Sequence, residues 1–180
     1  MIKPIDFVKA LKKTKIRFVT GIPDSLLKEV CECIDKKFGK NKHIIATNEG
    51  SAVALSIGYY LASKNPALVY MQNSGLGNSF NPIVSLADPK VYGIPIILMI
   101  GWRGEIAGYG KQIHDEPQHK KQGLITISQL KTVGIPFRII NNRTKKITTI
   151  VKDLKNLAIK RKGPVAIIVR KKTFSSFVIS

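Results

Sequence analysis

Short runs of apolar and β-branched residues alternate along this chain with longer segments in which apolar positions recur at helical spacing. The short runs are typical of strands buried in a sheet, and the longer segments are typical of amphipathic helices. Strands and helices that alternate in this way predict an α/β fold. We expect a doubly wound, six-stranded, mainly parallel sheet with helices on both faces.

The pattern predicts the positions of six strands and six helices. The predicted strands are Ile16–Thr20, His43–Ala46, Ala67–Met71, Pro95–Ile100, Phe137–Ile140 and Val165–Val169. The predicted helices are Ile5–Lys12, Leu26–Lys37, Glu49–Ser63, Asn78–Leu86, Ile127–Val133 and Ile147–Lys160. The connection Gly101–Gly123 is long, glycine-rich at its start and without helical or strand periodicity. Long structured loops are often functional, so we expect this one to carry part of a site.

Composition narrows the class of protein. A chain of 180 residues with 44% hydrophobic content is of single-domain size, so we expect one domain over 1–180. No stretch approaches the ~20 apolar residues of a membrane-spanning helix. The first residues lack the pattern of a secretion signal. We therefore expect a cytoplasmic protein that does not associate with membranes.

The net charge of +19 raises the alternative of an anionic partner such as nucleic acid or a nucleotide. The lysines are scattered through every predicted helix and become denser toward the carboxyl end. They are not interleaved with aromatic residues, which stack on bases in proteins that bind single strands. A solvated, lysine-rich surface is the simpler interpretation, so we expect no nucleic acid partner and keep a basic binding protein as a distant alternative.

Unusual residues follow several predicted strands, and ligands of open parallel sheets bind where such strands end. The first strand leads to Asp24 and Ser25, although both residue types are also preferred as helix caps. The second leads to Glu49, whose charge a helix amino terminus also favours. The third leads to the glycine-rich turn Met71–Asn78, which has free amides for an anion but no Gly-Lys-Ser/Thr phosphate motif. A site is predicted at this edge of the sheet.

Five motifs give this edge a family resemblance. In order they are Gly21–Lys28, Asn48-Glu49-Gly50, Tyr70–Asn78, Gly101-Trp102-Arg103-Gly104 and Asp115-Glu116-Pro117-Gln118-His119. From about Pro4 to Thr173 the chain resembles the amino-terminal, pyrimidine-binding domain of phosphonopyruvate decarboxylase, a thiamine diphosphate enzyme. The related sulfopyruvate decarboxylase alpha subunit shares the turn Gln72–Asn78 but differs from this chain after Gly104. The resemblance therefore favours the phosphonate substrate, with sulfopyruvate as the alternative.

The resemblance implies decarboxylation of phosphonopyruvate to phosphonoacetaldehyde and carbon dioxide. In the family, a glutamate at the position of Glu49 hydrogen-bonds the aminopyrimidine ring of the cofactor, which performs the carbon chemistry. Asp24 and His119 are the implied catalytic proton relays. For His119, a surface histidine is the alternative.

The resemblance also implies binding residues. The predicted cofactor-binding residues are Glu49, Asn73, Ser74 and Asn78, and the predicted substrate-binding residues are Ser25, Arg103, His114 and Glu116. Arg103 can grip a phosphonate through two parallel hydrogen bonds. Its alternative role is a salt bridge to Glu105 or Asp115 that anchors the loop.

A metal motif of the family is missing. The chain has no Gly-Asp-Gly sequence, which in the family begins the Mg²⁺ and diphosphate site, so this chain is predicted to bind no metal itself. We expect Mg²⁺ to be held by a separate diphosphate-binding domain, supplied as a beta subunit or as the rest of a longer polypeptide. Either arrangement implies an oligomer, and helix Glu49–Ser63, rich in small residues, is the predicted interface. A separate domain of this size is normal for the sulfopyruvate decarboxylase alpha subunit.

Overall fold

One parallel sheet forms the centre of the computed structural model, which describes residues 1–107 and 110–178. Within these residues the strands are β1 (Val19–Gly21), β2 (His43–Ile45), β3 (Ala67–Gln72), β4 (Ile96–Gly101), β5 (Phe137–Ile140) and β6 (Val165–Val169). They lie in the order β2-β1-β3-β4-β6-β5, and each neighbouring pair is parallel. The prediction of a six-stranded α/β sheet is confirmed.

The helices are α1 (Pro4–Lys13), α2 (Lys28–Phe38), α3 (Glu49–Ser63), α4 (Gly75–Pro82), α5 (Pro117–Thr132) and α6 (Ile147–Arg161). A π-helical turn, Ile83–Ala87, continues α4. Within the described part of the chain, no helix has the length and apolar character needed to cross a membrane.

Apolar side chains bury both faces of the sheet because successive strand residues point in opposite directions. On one face, Leu68 and Tyr70 of β3 pack in a core with residues of α1, α2 and α6. On the other face, Val69 and Met71 pack with residues of α3, α4 and α5. The predicted helices on both faces are therefore confirmed, and the near-continuous apolar strands follow from this double covering.

The chain changes direction across the sheet at β1. From β1 it runs to β2 on one side and then crosses to β3 on the other side, so a crevice opens at the carboxyl ends of β1 and β3. The amide of Ile22, just after β1, donates to the carbonyl of Tyr70 in β3 at 3.0 Å. The amide of Asn73, just after β3, donates to the carbonyl of Gly101 at 2.9 Å. The turns after β1, β3 and β4 therefore meet at one edge.

Three predicted elements begin three or more residues away from their observed starts. Helix α5 begins at Pro117 rather than Ile127, so the last part of the predicted loop, 117–123, is helical. Its buried residues Gly123, Thr126 and Leu130 include a single large apolar side chain, which explains why no apolar periodicity was visible. Helix α4 begins three residues before Asn78, and β1 covers 19–21 rather than 16–20.

Candidate active site

The predicted site residues lie in two groups at the carboxyl edge of the sheet. The first group surrounds Glu49, where the amino-terminal ends of α3 and α4 meet. The second surrounds Asp115, which connects the turns after β1 and β4 to the start of α5. The structure thus brings Glu49 together with Asn78, and Ser25, Arg103 and His119 together with Asp115. Asp24 lies next to this second group, against Gly101 at the end of β4.

Glu49 is the first residue of α3. Asn48 caps the helix, because its side-chain oxygen accepts a hydrogen bond from the amide of Ser51 at 2.9 Å. The Nδ2 of Asn78 donates to Glu49 Oε2 at 2.8 Å, which fixes a partly buried carboxylate at this edge. The helix amino terminus favours its negative charge. Both interpretations of Glu49 from the sequence, a helix charge and a site carboxylate, are compatible with this geometry.

Two glycines allow α3 and α4 to approach each other closely at Glu49. A methyl group on Gly50 would lie 2.8 Å from the carbonyl oxygen of Asn78. A methyl group on Gly75 would lie 2.7 Å from Glu49 Oε1. Only hydrogen atoms fit at both places, so the helices form a cradle that sets the position of the Glu49 carboxylate.

Asn73 has a structural role that sequence reasoning missed. Its side chain is 0% exposed, and its Nδ2 donates to the carbonyl of Arg103 at 3.0 Å and to Oγ1 of Thr126 at 2.8 Å. Its Oδ1 accepts from the amide of Arg103 at 3.2 Å. These bonds hold the turn after β3 to the turn after β4 and to α5. The predicted direct contact of Asn73 with a cofactor stays a prediction, and the role that the structure displays is positioning.

Ser74 lies beside Asn73 but is partly accessible. Its hydroxyl accepts a hydrogen bond from Nε2 of Gln72 at 2.7 Å. Asn78 is exposed at the same edge and already engages Glu49. Ser74 and Asn78 are thus the predicted cofactor residues, besides Glu49, that reach the surface of the site.

Asp24 is a buried carboxylate, 7% exposed, and neither of its oxygens has a hydrogen-bond partner among the described residues. Burial raises its pKa above the ordinary value of 3.8. The amides of Leu26 and Leu27, which lie near the carboxylate without forming well-aligned hydrogen bonds, and the charge of Arg103 offset this only in part. Helix α2 begins after Leu27 without a side-chain cap, so the capping role considered for Asp24 is wrong. A buried carboxylate without a hydrogen-bond partner lowers the stability of the fold. Its presence here therefore makes Asp24 a candidate functional residue.

Asp115 is the centre of the second group. Its Oδ2 accepts from Nε of Arg103 at 2.9 Å and its Oδ1 from Nη2 of Arg103 at 2.5 Å. The amides of Gly104 and Glu116 donate to the same carboxylate at 2.8 and 2.9 Å. The alternative role of Arg103, a salt bridge within its own loop, is therefore present in the structure. Glu105, the other partner considered, pairs instead with Arg170 at 3.2 Å.

The ion pair between Asp115 and Arg103 stabilises the charged form of each partner. The hydrogen bonds from Arg103, followed by those from the backbone amides, hold the pKa of Asp115 well below its ordinary value of 3.8. The hydrogen bonds to Asp115 in turn raise the pKa of Arg103. Both groups stay charged at neutral pH, and the guanidinium keeps Nη1 to donate to the Ser25 hydroxyl at 2.9 Å.

The two histidines of the predicted loop differ in their surroundings. His119 lies in the first turn of α5, and its Nδ1 is 3.1 Å from Oδ1 of Asp115. Its side chain is only 12% exposed and is held by Asp115, which is unlike a free surface histidine, and its catalytic role stays a prediction. His114 and Glu116 are exposed, and their predicted roles in substrate binding stay predictions.

A cavity of about 360 Å³ adjoins Asp24 on the α2 side of the sheet. Cys31, His43 and Tyr70 are among its lining residues. The buried His43 ring is 3.0 Å from Asp35 Oδ1 and 2.8 Å from the Tyr70 hydroxyl, and burial raises the pKa of Tyr70. Sequence reasoning missed this chain of polar groups, for which a histidine inside a predicted strand was the only signal.

Comparison with known proteins identifies the family. Residues 6–125 match the family model described as "Thiamine pyrophosphate enzyme, N-terminal TPP binding domain". The chain is 36% identical over 163 residues to sulfopyruvate decarboxylase subunit alpha of Methanococcus maripaludis, covering 89% of both chains. It is 32% identical over 149 residues to phosphonopyruvate decarboxylase of Streptomyces viridochromogenes, covering 83% of this chain and 35% of that protein.

The fold has a counterpart among solved structures. Benzoylformate decarboxylase from Polynucleobacter necessarius superposes with a TM-score of 0.67 at 16% identity, over 100% of this chain and 32% of that one. The resemblance seen in the sequence is thus confirmed by the sequence matches and, for the fold, by this superposition. The chain belongs to the thiamine pyrophosphate-dependent decarboxylases, in which it corresponds to the N-terminal cofactor-binding domain.

Proposed function

We propose that this chain is the aminopyrimidine-binding half of a decarboxylase whose substrate is a short 2-oxo acid with a second, tetrahedral anionic group. The observation that carries this proposal is the Glu49 carboxylate, which Asn78 and the close approach of Gly75 hold at the edge of the sheet where the chain changes direction and a crevice opens. Ligand sites of open α/β sheets form at this point.

The residues present fit thiamine diphosphate (thiamine pyrophosphate). A carboxylate can accept a hydrogen bond from a pyrimidine ring nitrogen that carries a proton, and Glu49 is anchored through Oε2 within the glycine cradle. Ser74 and Asn78 add accessible polar side chains beside it. When bound, the cofactor supplies the electron sink for loss of carbon dioxide. The chain itself orients the pyrimidine and handles protons.

Asp24 and His119 are the proposed proton-handling residues. The raised pKa of Asp24 brings a carboxyl group nearer to the range in which it can exchange a proton. His119 is held through Nδ1 by Asp115, an arrangement that fixes its tautomer and leaves Nε2 for proton transfer. Hydrogen bonds from Arg103 to Ser25 and to Asp115, and the contact of His119 with Asp115, connect the turn that holds Asp24 to His119.

Phosphonopyruvate is the first proposed substrate, giving phosphonoacetaldehyde and carbon dioxide. The support comes from the motif Asp115–His119 and from similarity to named phosphonopyruvate decarboxylases. Sulfopyruvate is the second candidate, and a specific observation favours it. The chain and the similar alpha subunit each match over 89% of their length, whereas the match covers 35% of the phosphonopyruvate decarboxylase of Streptomyces viridochromogenes.

The proposed active enzyme needs a partner. Several relatives are named as alpha subunits, which supports a separate beta subunit or diphosphate-binding domain that holds Mg²⁺ and the diphosphate in an oligomer. Exposed Leu55 and Leu61 on α3 support this helix as the interface. The free, buried Cys31 and Cys33 are compatible with the reducing cytoplasm.

The test is carbon dioxide release from phosphonopyruvate and sulfopyruvate with thiamine diphosphate and Mg²⁺. The chain is assayed alone and with a candidate diphosphate-binding subunit. We expect turnover only in the mixture, and the acid with the higher kcat/KM identifies the substrate. Turnover by the chain alone would contradict the divided site, and no turnover of either acid by a folded, cofactor-binding mixture would contradict the substrate class.

A further inference from the structure

Two lysines that follow β6 lie beside the site. Val169 at the end of β6 pairs with Gly101 at the end of β4, so the turns after these strands leave the sheet together. They form a recess of about 300 Å³, and its lining residues are Ser25, Leu26, Arg103, Lys171 and Lys172. Sequence reasoning treated this basic segment as solvated surface, because only the pairing of β4 with β6 brings it to Arg103.

The backbone of the lysine turn is fixed. The amide of Lys171 donates to Oε2 of Glu105 at 3.1 Å, and Oγ1 of Thr173 donates to the carbonyl of Arg170 at 2.6 Å. The carbonyl of Thr173 accepts from the amide of Ile2 at 2.9 Å. The two lysine side chains therefore extend from an anchored turn.

Lys172 has an unusual backbone conformation, with φ of 58° in the left-handed region. The other non-glycine residues of this kind in the described chain lie at or next to helix ends, and they are Lys15, Lys64, Lys146 and Lys162. Lys172 instead lies in the turn after β6, at the recess. A strained conformation kept at one ligand-sized recess is an indication of function.

The recess has an excess of positive charge. Arg103 is balanced by Asp115, and Arg170, just outside the recess, is balanced by Glu105. Within residues 1–107 and 110–178, no carboxylate forms a salt bridge with Lys171 or Lys172. Two unbalanced ammonium groups match a tetrahedral group that carries one or two negative charges.

We propose that this recess binds the phosphonate or sulfonate group of the 2-oxo acid. Lys171 and Lys172 supply the unbalanced charge. Ser25 accepts a hydrogen bond from Arg103 Nη1 and so keeps its own hydroxyl proton to donate to the anion. Arg103, already paired with Asp115, orients Ser25 and lines the remaining side of the recess. This inference rests on the proposed function, and it makes the lysines specificity-determining residues rather than catalytic ones.

The first test is kinetic and uses the reconstituted enzyme. The double variant Lys171→Ala/Lys172→Ala is expected to raise KM for the preferred acid by roughly tenfold or more, with kcat changed much less, because charge-assisted bonds to the anion are lost. The matched control is Lys9→Ala/Lys13→Ala, which removes the same charge from exposed positions on α1. An equal KM in both double variants would overturn the inference while the proposed function stood.

The second test does not need activity. The ¹⁵N-labelled chain is titrated with methylphosphonate and with methanesulfonate, and the amide signals of Lys171 and Lys172 are followed. The amide signals of Ser25 and Leu26, which line the same recess and are unchanged in the variant, are followed as well. We expect saturable shifts at these amides that disappear in the Lys171→Ala/Lys172→Ala variant and persist in the control, with the tighter probe indicating phosphonate or sulfonate. Absence of saturable shifts with both probes would overturn the recess as an anion site, even if the enzyme proved inactive on both acids.

Discussion

Gly75 and Glu49 are packed so closely that a methyl group on Gly75 would lie 2.7 Å from both Cδ and Oε1 of the glutamate. Gly75 begins α4 in a region where alanine is otherwise acceptable, since its φ is not positive. We therefore predict that Gly75→Ala displaces the Glu49 carboxylate and lowers kcat/KM of the reconstituted enzyme by roughly tenfold or more.

Gly77 provides the matched control for stability, because nothing lies within 4 Å of a Cβ built there in the same helix. Gly77→Ala is expected to stabilise the chain by about 0.5–1 kcal/mol, since alanine favours helix. Urea unfolding of both variants measures this contrast. Equal stabilisation and full activity of Gly75→Ala would show that the close approach does not constrain Glu49.

Replacement of Glu49 by glutamine tests its proposed role directly. The amide cannot offer the same charged acceptor to a pyrimidine, so kcat should fall by about 100-fold or more while circular dichroism stays unchanged. Asp153→Asn is the control, because it makes the same acid-to-amide change at an exposed position of α6. Near-normal turnover of Glu49→Gln would refute the assignment.

Asp24 should make stability fall as pH rises. Its folded pKa is raised, so the favourable burial of the protonated form is fully present below pH 3.8 and is lost as pH increases through the folded pKa. Asp24→Asn removes this titration. At neutral pH the variant should be more stable than the wild type, by the order of 1 kcal/mol or more, and less active.

Urea unfolding at a series of pH values from roughly 3 to 8 measures the difference in the free energy of unfolding between Asp24→Asn and wild type. The advantage of the variant should grow with pH and then level off. A constant difference would mean that Asp24 ionises with an ordinary pKa despite its burial.

Asp115 should show the opposite pH dependence. Its folded pKa is lowered, so its contribution is present above the ordinary value of 3.8 and is lost as pH falls through the folded pKa. Asp115→Asn should reduce the free energy of unfolding at pH 7 by about 2–4 kcal/mol, because Arg103 loses a buried partner. The same pH series should show this loss shrinking below pH 3.8. A deficit that does not change with pH would argue against the ion pair.

Asn73 and Thr126 should be energetically coupled, because Nδ2 of Asn73 donates to Oγ1 of Thr126 in a fully buried position. Asn73→Ala alone should cost about 1–3 kcal/mol. In a cycle with Thr126→Val, the coupling energy from urea unfolding should be roughly 0.5–3 kcal/mol. Additive losses would mean that the hydrogen bond does not connect the turn after β3 to α5.

The fold and the position of Glu49 could be predicted from the sequence because both depend on local signals. Apolar runs of strand length indicated the sheet, and Glu49, between a predicted strand and a predicted helix, indicated a helix amino terminus at its carboxyl edge. The start of α5 could not be found in this way. Gly123 packs there directly on the backbone of Gly104, and Trp102 Nε1 donates to the Gly123 carbonyl at 2.9 Å.

The sequence by itself determined the fold class and indicated the edge of the sheet at which a site is proposed, since periodicity and turn residues act over short stretches of chain. The tertiary structure alone decided the pairings. It joined Arg103 to Asp115, buried Asp24 without a partner and brought Lys171 and Lys172 beside Ser25. The physical reason is that ion pairs and desolvation depend on distances across strands far apart in sequence, which strand order sets.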